Sequence, residues 1–117
     1  MNLENFLDRV KSNQPVDFKQ TMAIITDYYH YQPAEFCNGL QDDVLINQAG
    51  SNEGSCKIFA FARLHCLDQQ QTLNLFGDFY RVDVLTDSAG SGHQNIRRFM
   101  RYGWQGICFS AEPLTLK

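Results

Sequence analysis

The sequence predicts a mainly helical α+β fold, a bundle of about five helices around one central buried helix, with at most one small two-stranded β element. Three observations predict it. Apolar residues recur at helical spacing in several stretches, and hydrogen-bonding residues stand where those stretches begin. The run "IFAFA" (Ile58–Ala62) has no polar face, as a helix enclosed on every side requires. The 117 residues, 44% apolar and 20% charged, fit a single domain over residues 1–117 whose core needs no staple.

Leu3, Phe6, Leu7 and Val10 form an apolar stripe along Asn2–Lys11, and Pro15 closes this first helix by disfavouring a helical Gln14. Asp17 can cap a second helix through Tyr29, with Phe18, Met22, Ile25 and Tyr29 facing inward. Pro33 and the Asn38-Gly39 pair read as a turn region, and "DVLINQ" (Asp43–Gln48) as a short strand. After "GSNEGS", which offers Ser51 or Asn52 as a cap, the central helix runs from Glu53 to about His65. Asp68 with Gln71 makes a capping-box start for a helix that includes Leu73, Leu75 and Phe76. "DFYRVDVL" suits helix or strand, and "TDSAGSG" is a loop. His93–Tyr102 predicts a helix with Ile96, Phe99 and Met100 inward and Gly103 at its end. "GICFS" reads as a second strand, expected to pair with "VLINQ".

Composition narrows the function. A net charge of −3 gives no general electrostatic case for nucleic acid, and no apolar run reaches the length of a membrane span. "MNLENFLDRVKS" lacks the apolar stretch of a secretory signal. Four cysteines and three histidines are scattered without paired-ligand spacing. No metal or cofactor is expected, and the thiols read as reduced and cytosolic.

Cys56 is the chemical candidate. In the first turn of the central helix it would gain from the positive end of the helix dipole, which favours thiolate. Gly54 and Ser55 would leave N–H groups free as oxyanion donors, and His93 with Asp83 or Asp87 would complete a Cys-His-Asp set. The spacing of Cys56, Phe59 and Ala60 describes an inward helix face equally well, and free cysteine is commonly buried. "AGSNEGSCK" is not a P-loop, because Gly50 and Gly54 are too close and Lys57 stands too late; an unspecialised anion site at the helix start stays open. Arg97, Arg98 and Arg101 beside Tyr102 and Trp104 suit nucleic acid or an acidic protein partner, or form a solvated helix face, and the negative overall charge counts against nucleic acid. Tyr80, Arg81 and Asp83 before the glycine-bearing loop, and His93 and Asn95 after it, mark a candidate pocket.

"NEGSCKIFAFARL", "TLNLFGDFYR" and "HQNIRRFMRYGWQGICF" resemble, in order, blocks of the HopJ type III effector protein family, over nearly the whole chain. The resemblance implies a bacterial virulence setting, with no reaction or catalytic set to carry over. Its blocks point to Asn52, Glu53, Gly54, Ser55, Cys56, Lys57, Tyr80, Arg81, His93, Asn95 and Trp104. From the residues alone, Leu3, Phe6 and Leu7 are expected in the core, which leaves no flexible secretion leader and favours a cytosolic role. The expectation is a HopJ-like effector or cytosolic protein-interaction domain. Its partner would be a host or cellular protein, with no nucleic acid and no membrane insertion. It would be cytoplasmic, or secreted by a type III system if a genuine effector. The rival is a cysteine-dependent hydrolase or transferase using Cys56 and His93.

Overall fold

The structure, a computed structural model, describes residues 1–117. Its helices are α1 (Leu3–Lys11), α2 (Phe18–Tyr28), α3 (Glu53–Leu64), α4 (Gln69–Asn74) and α5 (Gln94–Tyr102). The strands are β1 (Tyr29–Tyr31), β2 (Phe36–Asn38), β3 (Leu45–Asn47), β4 (Ile107–Phe109) and β5 (Leu114–Leu116). The α+β class and the helix order follow the sequence reading.

Side-chain caps set three of the helix starts. Asn2 Oδ1 accepts from the Asn5 amide at 2.8 Å at the head of α1. Asp17 with Gln20, and Asp68 with Gln71, form reciprocal capping boxes at α2 and α4. Along α3, Ile58 through Ala62 are fully enclosed, so this helix is the interior rod of the molecule. Phe59 meets the rings of Phe36, Phe76, Phe99 and Trp104, drawing β2, the turn after α4, α5 and the chain after α5 onto one point. Gly77, at φ +62, turns the chain after α4 so tightly that a Cβ there would lie 2.6 Å from the Phe18 amide nitrogen.

The strands depart from expectation. There are five, in two antiparallel sheets, rather than two paired pieces. β3 and β4 do not touch as partners; both flank β2, in the order β3-β2-β4. β2 lies inside the stretch read as a turn region, and β1, paired with β5, continues directly from α2. Each strand has three residues, too few to express a two-residue alternation in sequence. The ambiguous "DFYRVDVL" segment holds a π-helical turn, Phe79–Val84. π turns occur mainly as single turns and frequently at functional sites. Met100, expected inward on α5, is 37% exposed, because the chain beside it stands off and leaves a groove.

Candidate functional site

α3 and α5 start differently from the other helices. Each follows a residue in the left-handed region, Asn52 (φ 52, ψ 47) and His93 (φ 55, ψ 52), and neither side chain caps its helix. Asparagine tolerates this conformation better than most residues. The Asn52 amide is engaged elsewhere: its Nδ2 donates to Asn47 Oδ1 at 2.7 Å. The first-turn backbone N–H groups of both helices therefore have neither a helical nor a side-chain acceptor.

Both first turns border one cleft of about 370 Å³, with Asn52, Gly54 and Ser55 from α3 and His93, Gln94 and Asn95 from α5. Phe18, Phe76 and Phe79 supply aromatic walls. Gly54 permits this arrangement, since a Cβ there would come within 3.0 Å of the Phe18 ring.

Beneath the cleft lies a cluster of amides. Asn38, Asn47 and Asn95 are all buried. Asn38 Nδ2 donates to the Asn95 carbonyl at 2.8 Å and to Asn95 Oδ1 at 3.0 Å. Asn95 Nδ2 donates to Asn47 Oδ1 at 2.9 Å, and Asn47 Nδ2 returns to Asn95 Oδ1 at 3.2 Å. With Asn52 joined to Asn47, one network ties β2, β3, the start of α3 and the start of α5 together. Buried amides are costly unless bonded, so this network fixes the spacing of the two helix starts.

At the rim, His93 Nε2 lies 3.2 Å from Asp83 Oδ2, and the imidazole packs 5.3 Å from the Phe79 ring. Two members of the candidate Cys-His-Asp set therefore stand together. The sulfur does not join them. Cys56 is 1% exposed, is no part of the cleft wall, and its Sγ donates to the Ala34 carbonyl at 3.8 Å. Burial pushes the thiol pKa up. One position along a helix is about 100° of rotation, which separates Ser55 on the cleft from Cys56 in the core.

The remaining sequence candidates separate into local ties. Lys57 Nζ sits 4.7 Å above the Tyr31 ring. Burial first, then the Glu53 carboxylate, raise the Tyr31 hydroxyl well above its ordinary pKa. Tyr80 is buried, its hydroxyl accepting from Gln70 at 3.4 Å. Arg81 donates to the Val16 carbonyl at 2.8 Å, and Trp104 Nε1 donates to the Leu67 carbonyl at 3.1 Å. Glu53, Lys57, Tyr80, Arg81 and Trp104 are thus outside the cleft wall, whereas Asn52, Ser55, His93 and Asn95 are in it. Sequence reasoning missed Phe18 and Phe79 as walls and Asn38 and Asn47 as the buried amides that hold Asn95 and Asn52. For Asn47 a signal existed, an amide directly after the apolar run "VLI".

The sequence pattern of the HopJ type III effector protein family matches residues 3–114. The chain belongs to the HopJ family. Among solved structures, this HopJ-family chain is similar to "Crystal structure of unknown function protein VPA0580". The two share 48% identity over 100% of this chain and 95% of the other, with a TM-score of 0.93. No curated protein matches the sequence. No helix of the HopJ-family chain is long and apolar enough to cross a membrane.

The burial pattern sets the order in which the four free thiols react. Cys66 and Cys108 are exposed, Cys37 is half-buried and Cys56 is closed off. With a neutral alkylating reagent, mass-spectrometric mapping of the native protein is expected to show Cys66 and Cys108 labelled first and Cys56 labelled only on unfolding. Fast labelling of native Cys56 would restore it as a reagent.

Proposed function

We propose that this HopJ-family protein works by recognition and holds a segment of a partner protein in the cleft between the starts of α3 and α5. It does so either as a type III effector acting on a host protein or as a cytosolic interaction module. One observation carries this reading: the residues of the family-like blocks that share an open site line a cleft of donors and rings, while the reactive sulfur is walled into the core. Unsatisfied backbone N–H groups from two helices favour hydrogen-bond acceptors. The Phe18 and Phe79 rings favour a flat apolar group beside them. A carboxylate followed by an aromatic side chain meets both demands.

A direct probe is acetyl-aspartyl-phenylalanine amide, titrated into isotope-labelled protein and followed by amide chemical shifts. The expected response is confined to Asn52, Gly54, Ser55, His93 and Asn95, and Phe79→Ala weakens it about tenfold, the scale of a lost aromatic contact in a binding site. Absence of any response there at millimolar probe, or Cys56-dependent turnover of an activated ester, would reject the binding reading. Passage of a tagged copy through a working type III apparatus decides between the effector and the cytosolic versions.

A further inference from the structure

A second groove lies on the other side of α5. It encloses about 620 Å³ between the Val84–Gly90 stretch and the outer face of α5. Its charged lining is three guanidiniums, Arg97, Arg98 and Arg101, against one carboxylate, Asp43. That leaves a local charge of +2 on a chain whose net charge is −3.

Asp43 is fully engaged. Arg98 approaches it at 3.1 Å, Arg101 at 2.8 Å, and the Tyr102 hydroxyl donates to it at 2.9 Å. The Tyr102 hydrogen bond, followed by the two guanidiniums, holds the Asp43 carboxyl below its usual pKa. Arg97 has no carboxylate within 4.0 Å, and Asp87, close by at Gly90, forms no ion pair with it. Instead Arg97 Nε donates to the Gly92 carbonyl at 2.5 Å and Nη1 to the Ser88 carbonyl at 3.4 Å. Two backbone acceptors thus fix the guanidinium without a direct ion pair, an arrangement suited to an incoming carboxylate.

The groove is also apolar at its lip. Leu85 is 49% exposed and Met100 lies beside it on the α5 side. The same turn exposes Val82 and Phe79, and Phe79 borders the first cleft. Gln94 lines both cavities. The two are neighbouring parts of one surface around α5.

We propose that this groove is an interaction surface for an acidic segment of a partner protein, its carboxylates meeting Arg97 and Arg101 and an apolar side chain between them resting on Leu85 and Met100. The proposal rests on the reading of the protein as a binding module and adds the charge and the register of what it binds. Guanidinium forks select carboxylate geometry, and the exposed leucine and methionine select against a purely ionic occupant.

The test uses short acetylated, amidated peptides with Leu flanked by Asp and Glu, their lysine counterparts, and a short single-stranded oligonucleotide. Binding is read by fluorescence anisotropy and amide shifts at low and physiological salt. The acidic peptide is expected to shift the amides of Leu85, Arg97 and Met100, and Arg97→Glu to weaken it about tenfold. Leu85→Ser, which breaks no hydrogen bond, is expected to weaken it severalfold with no change in melting temperature. Equal binding of the lysine peptide, indifference to both variants, or preference for the oligonucleotide overturns the proposal. A response to the acidic peptide at Leu85 and Met100, with none to the aspartyl-phenylalanine probe at Asn52 and Ser55, rejects the cleft and keeps the groove; the reverse keeps the cleft and rejects the groove.

Discussion

Phe59→Ala is expected to lower the unfolding free energy by about 3–5 kcal/mol, the range for truncating a fully buried aromatic ring. The ring has no exposure and is in contact with Phe36, Phe76, Phe99 and Trp104. Those four rings come from β2, the turn after α4, α5 and the turn after α5. The void left by the substitution would border parts of the chain that are distant in sequence. Such parts relax inward poorly, which places the cost in the upper half of that range. Chemical denaturation monitored by Trp104 fluorescence measures it. A loss below about 1 kcal/mol would mean that the interior is plastic and that α3 does not organise it. Phe79→Ala, at a ring 39% exposed, supplies the control and is expected to change stability far less.

The helical frame was legible because each helix carried its own evidence. Asp17 with Gln20 and Asp68 with Gln71 announce their helices through local hydrogen bonds, and Ile58–Ala62 announces enclosure by lacking a polar face. The sheets were not legible, because their evidence is not local. β2 pairs across to residues some seventy positions away, Phe36 with Phe109 and Cys37 with Cys108. Three-residue strands give no periodicity to read. The "DFYRVDVL" segment stayed ambiguous for a related reason: π-helical spacing matches neither the helical nor the strand template.

The candidate site divides along the same line. Asn52, Ser55, His93 and Asn95 were visible as polar residues at helix starts. Their convergence depends on Asn38 and Asn47, which look like ordinary turn and strand residues until β2 and β3 bring them beneath α5. The starts of α3 and α5 also break a rule that α1, α2 and α4 obey, since they lack a side-chain cap. Local rules are broken most often where a protein meets its ligand. The same contrast demotes Cys56. The sequence placed a thiol at a helix start, where the dipole favours thiolate, and the fold turned that thiol inward, where desolvation favours the neutral form. Desolvation is the larger effect, so position along the helix mattered less than position around it.

Asn95→Ala is the substitution expected to disable the cleft. It removes one of two acceptors for Asn38 Nδ2, which keeps the Asn95 backbone carbonyl, together with an acceptor for Asn47 Nδ2 and a donor to Asn47 Oδ1, leaving Asn47 bonded to Asn52 and, more weakly, to the Phe36 and Leu45 carbonyls. Losing three buried hydrogen bonds at about 0.5–1.5 kcal/mol each implies a loss of about 2–4 kcal/mol in stability. It also unties the start of α5 from that of α3. Amide exchange in the first turns of both helices is therefore expected to rise, and the aspartyl-phenylalanine probe to lose binding even well below the melting transition. Asn95→Asp separates geometry from hydrogen bonding, since the side chain keeps its shape. As a carboxylate it faces Asn47 Oδ1 with a lone pair in place of a proton, inside a low-dielectric site. Its folded pKa should lie above the unfolded value of about 3.9. A raised pKa means that the folded state binds the proton more tightly than the unfolded one. The variant should then be weakest at neutral pH and recover as pH falls through the folded pKa toward the unfolded one. Denaturation of Asn95→Asp across that interval, set against wild type, reads the recovery. A flat difference between the two would show that the buried amides are spectators and that the helix starts are held by packing alone.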